Sequence, residues 1–154
     1  MRLPTAPQVL RIAAALSSGV ALVFISAPAN LHYLHWFSFL PLFWALRPGE
    51  HRANFALGYA SGWLAVFILF RWLIQTIVIF TGMPLVAAVL VHMLFATAFS
   101  IPYAIVFGSV QWLRERLGGG WVALTPAVLV AAERLSPALF PYYQGVSQYR
   151  NPYT

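Results

Sequence analysis

Residues 55–80 read FALGYASGWLAVFILFRWLIQTIVIF, and this apolar run indicates the fold class. It is longer than the roughly 20 apolar residues that an α-helix needs to cross a bilayer. Its apolar residues are continuous rather than alternating, which predicts a membrane helix rather than a barrel strand. Arg71 is its one charged residue. Because a guanidinium inside a membrane segment is costly unless it reaches the interface or a partner, we take Arg71 as the first candidate functional residue.

The composition of the whole chain predicts a membrane protein. Hydrophobic residues make up 61% of it and charged residues only 8%, whereas soluble proteins carry about 25% charged residues. The formal net charge is +6, and we attribute it to arginine-bearing loops that orient the membrane spans rather than to nucleic-acid binding. Cysteine is absent, which excludes disulfides, thiolate metal ligands and a thiol nucleophile within this chain.

The apolar runs predict an all-α transmembrane bundle of about five spans over residues 1–135. The predicted spans cover residues 12–27, 34–46, 55–79, 85–113 and 121–135. The second is short and contains Pro41, and the fourth is expected to bend at Pro102. Residues 136–154, rich in Pro, Tyr and Gln, are predicted to form an extracytoplasmic interfacial segment.

The arginines predict the orientation of the bundle. They precede span one and occupy the loops before spans three and five, whereas the loops after spans one and three have none; they are Arg2, Arg11, Arg47, Arg52, Arg114 and Arg116. The positive-inside rule then places the amino terminus in the cytoplasm. Arg71 lies about 24 Å along a helix from Phe55 at 1.5 Å per residue, so it approaches the outer interface.

We predict that polar and aromatic residues gather at this outer face and bind lipid substrates. Gln75 follows Arg71 by one helical turn, and Glu133 is a candidate ion-pair partner for Arg71. Trp72 and two tyrosines are typical of an interfacial aromatic belt. The predicted substrate-binding residues are Arg71, Trp72, Gln75, Glu133, Tyr142, Tyr143 and Gln148. The plainer alternatives are interfacial snorkelling of Arg71 and a solvated Glu133.

Other motifs predict packing rather than chemistry. Gly58 and Gly62 form a Gly-x-x-x-Gly pair, which lets two helix backbones approach closely. His92 is expected to make a hydrogen bond between helices. His32 and His35 lack a nearby carboxylate, so we predict no metal site and no cofactor. No Gly-x-Ser-x-Gly turn is present, so a hydrolase nucleophile is unsupported, and we assign no catalytic residue to this chain.

Several segments, taken in order, resemble the amino-terminal membrane half of the apolipoprotein N-acyltransferases. They are Ser26-Ala27-Pro28, residues 58–72, residues 80–84 (FTGMP), Thr125-Pro126-Ala127 with Glu133, Phe140-Pro141-Tyr142, and residues 145–148 (GVSQ). The chain departs from the family at Ser136 and Pro137, where arginine and glycine are usual. It departs again at Tyr142, where tryptophan is common.

The resemblance implies acyl transfer in the bacterial inner membrane. In that family a phospholipid acyl chain passes to an enzyme thiol and then to the amino-terminal lipidated cysteine of a lipoprotein. The Glu, Lys and Cys that do this belong to a nitrilase-like domain that follows further spans. Since this chain has neither Cys nor Lys, we expect a fragment or truncated form that is inactive alone. Its expected partners are phospholipid, the apolipoprotein substrate, and the remaining spans and catalytic domain of the same enzyme.

Two other functions are consistent with the sequence. A small transporter or channel subunit would line a polar path with Arg71, Gln75 and His92. A structural membrane module would use Gly58 and Gly62 to bind partner helices, and Arg71 would not matter. The first predicts one shared cavity across the bilayer, whereas the acyltransferase predicts a groove open to the outer leaflet.

Overall fold

The computed structural model describes residues 6–26 and 29–135, and the regular structure in these ranges is helical. The α-helices are α1 (Ala6–Ile25), α2 (Leu40–Ala45), α3 (His51–Leu69), α4 (Trp72–Thr81), α5 (Leu85–Phe99), α6 (Ile101–Leu117) and α7 (Trp121–Leu135). Short 3₁₀ helices cover His32–Trp36 and Gly118–Gly120. The predicted all-α fold is confirmed.

The predicted count of about five spans is not confirmed. Two helical stretches of the described residues, Gln8–Ile25 and Leu85–Gly120, are long and apolar enough to cross a membrane, and the pair α3 and α4 makes a third if it forms one bent span. The apolar run at residues 34–46 divides into a 3₁₀ helix and the six-residue α2. Six residues rise only about 9 Å, so α2 does not cross a bilayer. With 15 residues, α7 is also short.

The proline in the fourth predicted span begins a helix instead of bending one sharply. Pro102 occupies the first turn of α6, where its missing N–H would have no helical partner. The hydrogen bond from Ala104 N–H to Ser100 O continues the ladder at 3.2 Å. As a result α5 and α6 follow each other as one candidate span of 36 residues.

At the centre of the bundle, α3 packs against both α6 and α1. A Cβ atom added to Gly58 or Gly62 would lie 2.7 Å from the Cβ of Phe107 or Tyr103, respectively. A Cβ on Gly19 of α1 would lie 2.5 Å from the backbone oxygen of Ser61. The helices therefore touch through their backbones, and the packing role predicted for Gly58 and Gly62 is confirmed.

Buried polar groups fix the segment between α1 and α3. Ser18 of α1 accepts a 2.9 Å hydrogen bond from Leu42 N–H of α2. Asn54 is fully buried, and its side chain accepts from Arg47 N–H at 3.0 Å and donates to Arg47 O at 2.7 Å. These bonds satisfy the backbone where α2 ends and position the loop that leads into α3.

Candidate functional site

Arg71 lies at the break between α3 and α4. The 19 residues of α3 rise about 28 Å, which nearly equals the roughly 30 Å thickness of a bilayer's hydrocarbon core. Arg71 is exposed directly after that length of helix, and Arg52 stands at the other end of it. An α3 that crosses the bilayer would place Arg71 at an interface, and this depth remains a prediction.

The break is a local loss of α-helical hydrogen bonding. Arg71 N–H donates to Ile68 O at 3.3 Å instead of to Phe67 O, and Leu73 N–H donates to Phe70 O at 2.8 Å. The ladder thus tightens into i→i−3 bonds, and α4 leaves α3 at an angle of 56°. One consequence is that the carbonyl of Phe67 loses its usual partner within the helix.

His92 of α5 provides that missing partner. Its Nε2 atom lies 2.9 Å from Phe67 O, and the ring is fully buried beside Phe67 and Phe95. Because a carbonyl oxygen can only accept, Nε2 must carry the hydrogen of this bond. The other ring nitrogen, Nδ1, is buried and has no partner among the described residues. The hydrogen bond between helices that we predicted for His92 is present.

Arg71, Trp72 and Gln75 form one exposed surface, which we call the lip. Trp72 is 47% exposed, with its ring 6.4 Å from that of Phe70, and Gln75 is exposed one turn after Arg71. Within the described residues Arg71 takes part in no ion pair, since the salt bridges found there join Arg11 and Arg47 to Glu50. The guanidinium donors of Arg71 are therefore available to a ligand.

The other predicted site residues, Glu133, Tyr142, Tyr143 and Gln148, lie at or after the end of α7 in the sequence. Glu133 lies near the end of α7, which packs against α6, and no ion pair links it to Arg71 in the described part of the chain. Tyr142, Tyr143 and Gln148 lie outside the described residues. Their predicted role in substrate binding remains a prediction.

Apolar surface continues from the lip to the turn between α4 and α5. Gly82 ends α4 with a left-handed backbone (φ 68°), and α5 begins at Leu85. The side chains around this turn are largely exposed, at 77% for Ile79, 84% for Phe80 and 73% for Val86. We call residues 79–86 the hairpin tip. Such a surface requires lipid or another protein segment to cover it.

An apolar groove of about 610 Å³ runs between α7 and the α5–α6 junction. It is lined by Ala98, Phe99, Ile101, Pro102, Ile105, Val128, Ala131, Ala132 and Leu135. Hydrocarbon side chains dominate this lining, so the groove suits an acyl chain rather than a polar ligand. Glu133 is adjacent to it in sequence.

Comparison with known proteins assigns the family. The sequence profile of the apolipoprotein N-acyltransferase N-terminal domain matches residues 18–154. The chain belongs to this family. Two proteins named Apolipoprotein N-acyltransferase 2 are similar to it, one from Leptospira interrogans serovar copenhageni (strain Fiocruz L1-130) and one from serovar Lai (strain 56601). Each is 28% identical over 123 residues, which cover 77% of this chain and 20% of the relative.

The family match covers most, but not all, of the features described above. The chain spans about a fifth of the length of the relatives it matches. The matched region includes the lip, the hairpin tip, His92 and Glu133, but it begins after Arg11.

Arg11 is the residue whose environment the sequence reasoning missed. We treated it as a marker of orientation, but its side chain is 95% buried and bonds to Glu50 and to the backbone of Ala45. The hydrogen bond to Glu50 joins residues 39 apart in sequence. Sequence periodicity does not predict a contact between residues so far apart. The only signal of an ion pair was that Glu50 is one of just three acidic residues in the chain.

Proposed function

We propose that this chain is the lipid-holding membrane part of an apolipoprotein N-acyltransferase. The enzyme would transfer an acyl chain from a phospholipid to the amino-terminal lipidated cysteine of a bacterial lipoprotein in the inner membrane. Family membership over residues 18–154 is the observation that carries this proposal. In this proposal the amino terminus is cytoplasmic and the lip faces the outer leaflet, as the distribution of arginines predicts.

Arg71 is the proposed headgroup contact. A guanidinium presents paired N–H donors that match the oxygens of a phosphate or of a glyceryl ester. Its exposure, its freedom from ion pairs in the described residues and its distance from the start of α3 support this role. Trp72 and Gln75 provide an interfacial ring and an amide on the same surface.

The acyl chains would lie on the apolar surfaces next to the lip. The hairpin tip exposes large apolar side chains, and the groove beside α7 has the volume and lining for a hydrocarbon chain. Because the surrounding bilayer is equally apolar, close packing against these side chains, and not a hydrophobic driving force, would hold the acyl chains there. Glu133, Tyr142, Tyr143 and Gln148 complete the proposed substrate-binding set.

The bond-making chemistry is proposed to reside elsewhere in the enzyme. Acyl transfer through a thiol needs a cysteine, and the family resemblance also implies a glutamate and a lysine in a nitrilase-like domain. This chain contains neither Cys nor Lys. We therefore propose that it binds and orients lipid, and that further spans and the catalytic domain of the same enzyme complete the reaction.

The geometry favours neither alternative function. A channel would need Arg71, Gln75 and His92 along one path, yet Arg71 and Gln75 are exposed while His92 is fully buried and bonded to Phe67. A module that binds partner helices would need Gly58 and Gly62 at its surface. Both glycines are buried against α6.

Replacing Arg71 by alanine in the whole enzyme that carries this region tests the proposal. Loss of charged hydrogen bonds to the lipid, worth about 1.5–3 kcal/mol, should lower kcat/KM for acyl transfer by about 10- to 100-fold. Arg52→Ala is the matched control, because it removes an exposed arginine from the other end of α3. Equal turnover and equal lipid affinity in Arg71→Ala and the unmodified enzyme would refute the assigned role.

A further inference from the structure

A second cavity lies at the arginine-rich end of the bundle, between α1 and α3. The two helices touch at Gly19 and Ser61, and a cavity of about 360 Å³ lies between that contact and Glu50. Its walls are apolar and include small side chains such as Ala15, Ala56 and Ala60. Ala56 is exposed, so the cavity is open at the surface of the bundle. We call it the α1–α3 crevice.

Arg11 lines this crevice with part of its hydrogen-bonding capacity unused. Its Nε donates to Ala45 O at 2.7 Å, and its Nη1 donates to Glu50 Oε2 at 2.7 Å. Its Nη2 atom is buried and has no partner among the described residues. Since nearly all buried donors in proteins are paired, the two N–H groups of Nη2 indicate a missing acceptor.

The local charge favours an anionic acceptor. Glu50 divides its carboxylate between two arginines, because its other oxygen lies 3.9 Å from Arg47 Nη1. Arg52, the second residue of α3, adds an exposed positive charge two residues after Glu50. Two arginines thus share one carboxylate, and the excess positive charge attracts an anion.

We propose that the α1–α3 crevice binds an anionic phospholipid, with one acyl chain between the helices and a phosphate oxygen accepting from Arg11 Nη2. From Glu50 to Ser61 the helix rises about 16 Å, which is close to the roughly 15 Å of one leaflet. The crevice therefore has the depth of one acyl chain, and its charged end lies where the headgroup would be. The site is at the opposite end of α3 from Arg71 and does not depend on the proposed acyl-transfer role.

The test measures lipid retention and thermal stabilisation of the whole protein in mild detergent. Delipidated protein is titrated with phosphatidylglycerol, phosphatidylcholine or inorganic phosphate, and bound lipid is counted by native mass spectrometry. We expect phosphatidylglycerol to raise Tm more than phosphatidylcholine does, and phosphate to leave Tm unchanged. Arg11→Ala is a poor test by itself, because it also removes the contacts with Ala45 and Glu50 and risks unfolding.

Ala56→Leu is the decisive variant, since it fills the crevice without touching Arg11. We expect Ala56→Leu to bind phosphatidylglycerol about tenfold more weakly than the unmodified protein does. Ala13→Leu is the control, because it enlarges an exposed residue of α1 outside the crevice, and it should bind phosphatidylglycerol with unchanged affinity. Equal binding by Ala56→Leu and the unmodified protein overturns the proposal. An equal rise in Tm with both lipids, or a rise in Tm with phosphate alone, also overturns it. A third contrary result is lipid binding that appears only in a variant that lacks the first five residues. Acyl transfer by Ala56→Leu should be unchanged, which separates this test from that of Arg71.

Discussion

At the scale of single residues, His92 sustains the bend that presents Arg71. Its Nε2–H bonds the Phe67 carbonyl that the break has freed. His92→Leu replaces the imidazole by an apolar side chain of similar size and leaves that buried carbonyl without a donor. We therefore expect a loss of about 1–3 kcal/mol in unfolding free energy. His92→Gln can offer an amide N–H in nearly the same place and should lose less. Thermal unfolding in detergent measures both, and a His92→Leu protein as stable as the unmodified one would contradict this explanation.

His35 gives the molecule a dependence on pH. It lies outside the candidate spans, and burial lowers the pKa of His35 below its ordinary value of 6.5. The unfolded chain then binds a proton at a higher pH than the folded chain does, so stability falls as the pH drops below about 6.5. As the pH is lowered from about 8 to about 5, the Tm of His35→Gln should fall less than the Tm of the unmodified protein does. An unchanged decline in His35→Gln, or an equal change in the exposed control His51→Gln, would rule this explanation out.

At the scale of elements, the contact between α3 and α6 decides how closely the bundle packs. A Cβ at Gly58 would meet the backbone oxygen of Tyr103 at 2.9 Å as well as Phe107. Because backbone cannot rotate aside, Gly58→Ala should destabilise the protein by about 1–3 kcal/mol. Gly119→Ala is the control, since a Cβ there meets nothing within 4 Å. Similar Tm values for the two variants would show that this contact is not tight.

The sequence predicted the helices better than it predicted the break between α3 and α4. Apolar runs identified α1, α5, α6 and α7, and the spacing of Gly58 and Gly62 identified a packing face. The break after α3 has no such signal, because neither Pro nor Gly occurs between Trp63 and Thr81. It depends on a hydrogen-bond donor from another helix, His92, which lies 25 residues from Phe67.

For the candidate site, too, local sequence patterns predicted neighbouring residues but not contacts between distant ones. Arg71, Trp72 and Gln75 share a surface because they are neighbours in one chain segment, and local spacing is enough to predict that. The proposed partnership of Arg71 with Glu133 depended on how α7 packs, which no local pattern specifies. The ion pair of the buried Arg11 with the partly exposed Glu50 was missed for the same physical reason. The run at residues 34–46, which is short and contains Pro41 in the sequence, divides into a 3₁₀ helix and the six-residue α2, which is too short to cross a bilayer.

At the scale of the whole molecule, positive charge gathers at one end. Arg11 and Arg47 contact Glu50 beside the start of α3, where His51 and Trp112 line a common pocket. Arg114 and Arg116 follow at the end of α6 and lie over the rings of Trp121 and Trp112. The hairpin tip is at the other end of the same helices. This separation of charge supports an orientation with the arginine-rich end in the cytoplasm.

That orientation is directly measurable because the chain contains no cysteine. Met83 of the hairpin tip and Glu115 of α6 are exposed, and single cysteines introduced there would react with a maleimide without background from the rest of this chain. In intact inner-membrane vesicles of known sidedness, a membrane-impermeant maleimide should label Met83→Cys from the extracytoplasmic face. Glu115→Cys should react only from the cytoplasmic face, since the cluster of arginines resists translocation. The reverse pattern would place Arg71 in the inner leaflet, far from the lipoprotein substrate, and the lip could not then serve the acyl transfer proposed for it.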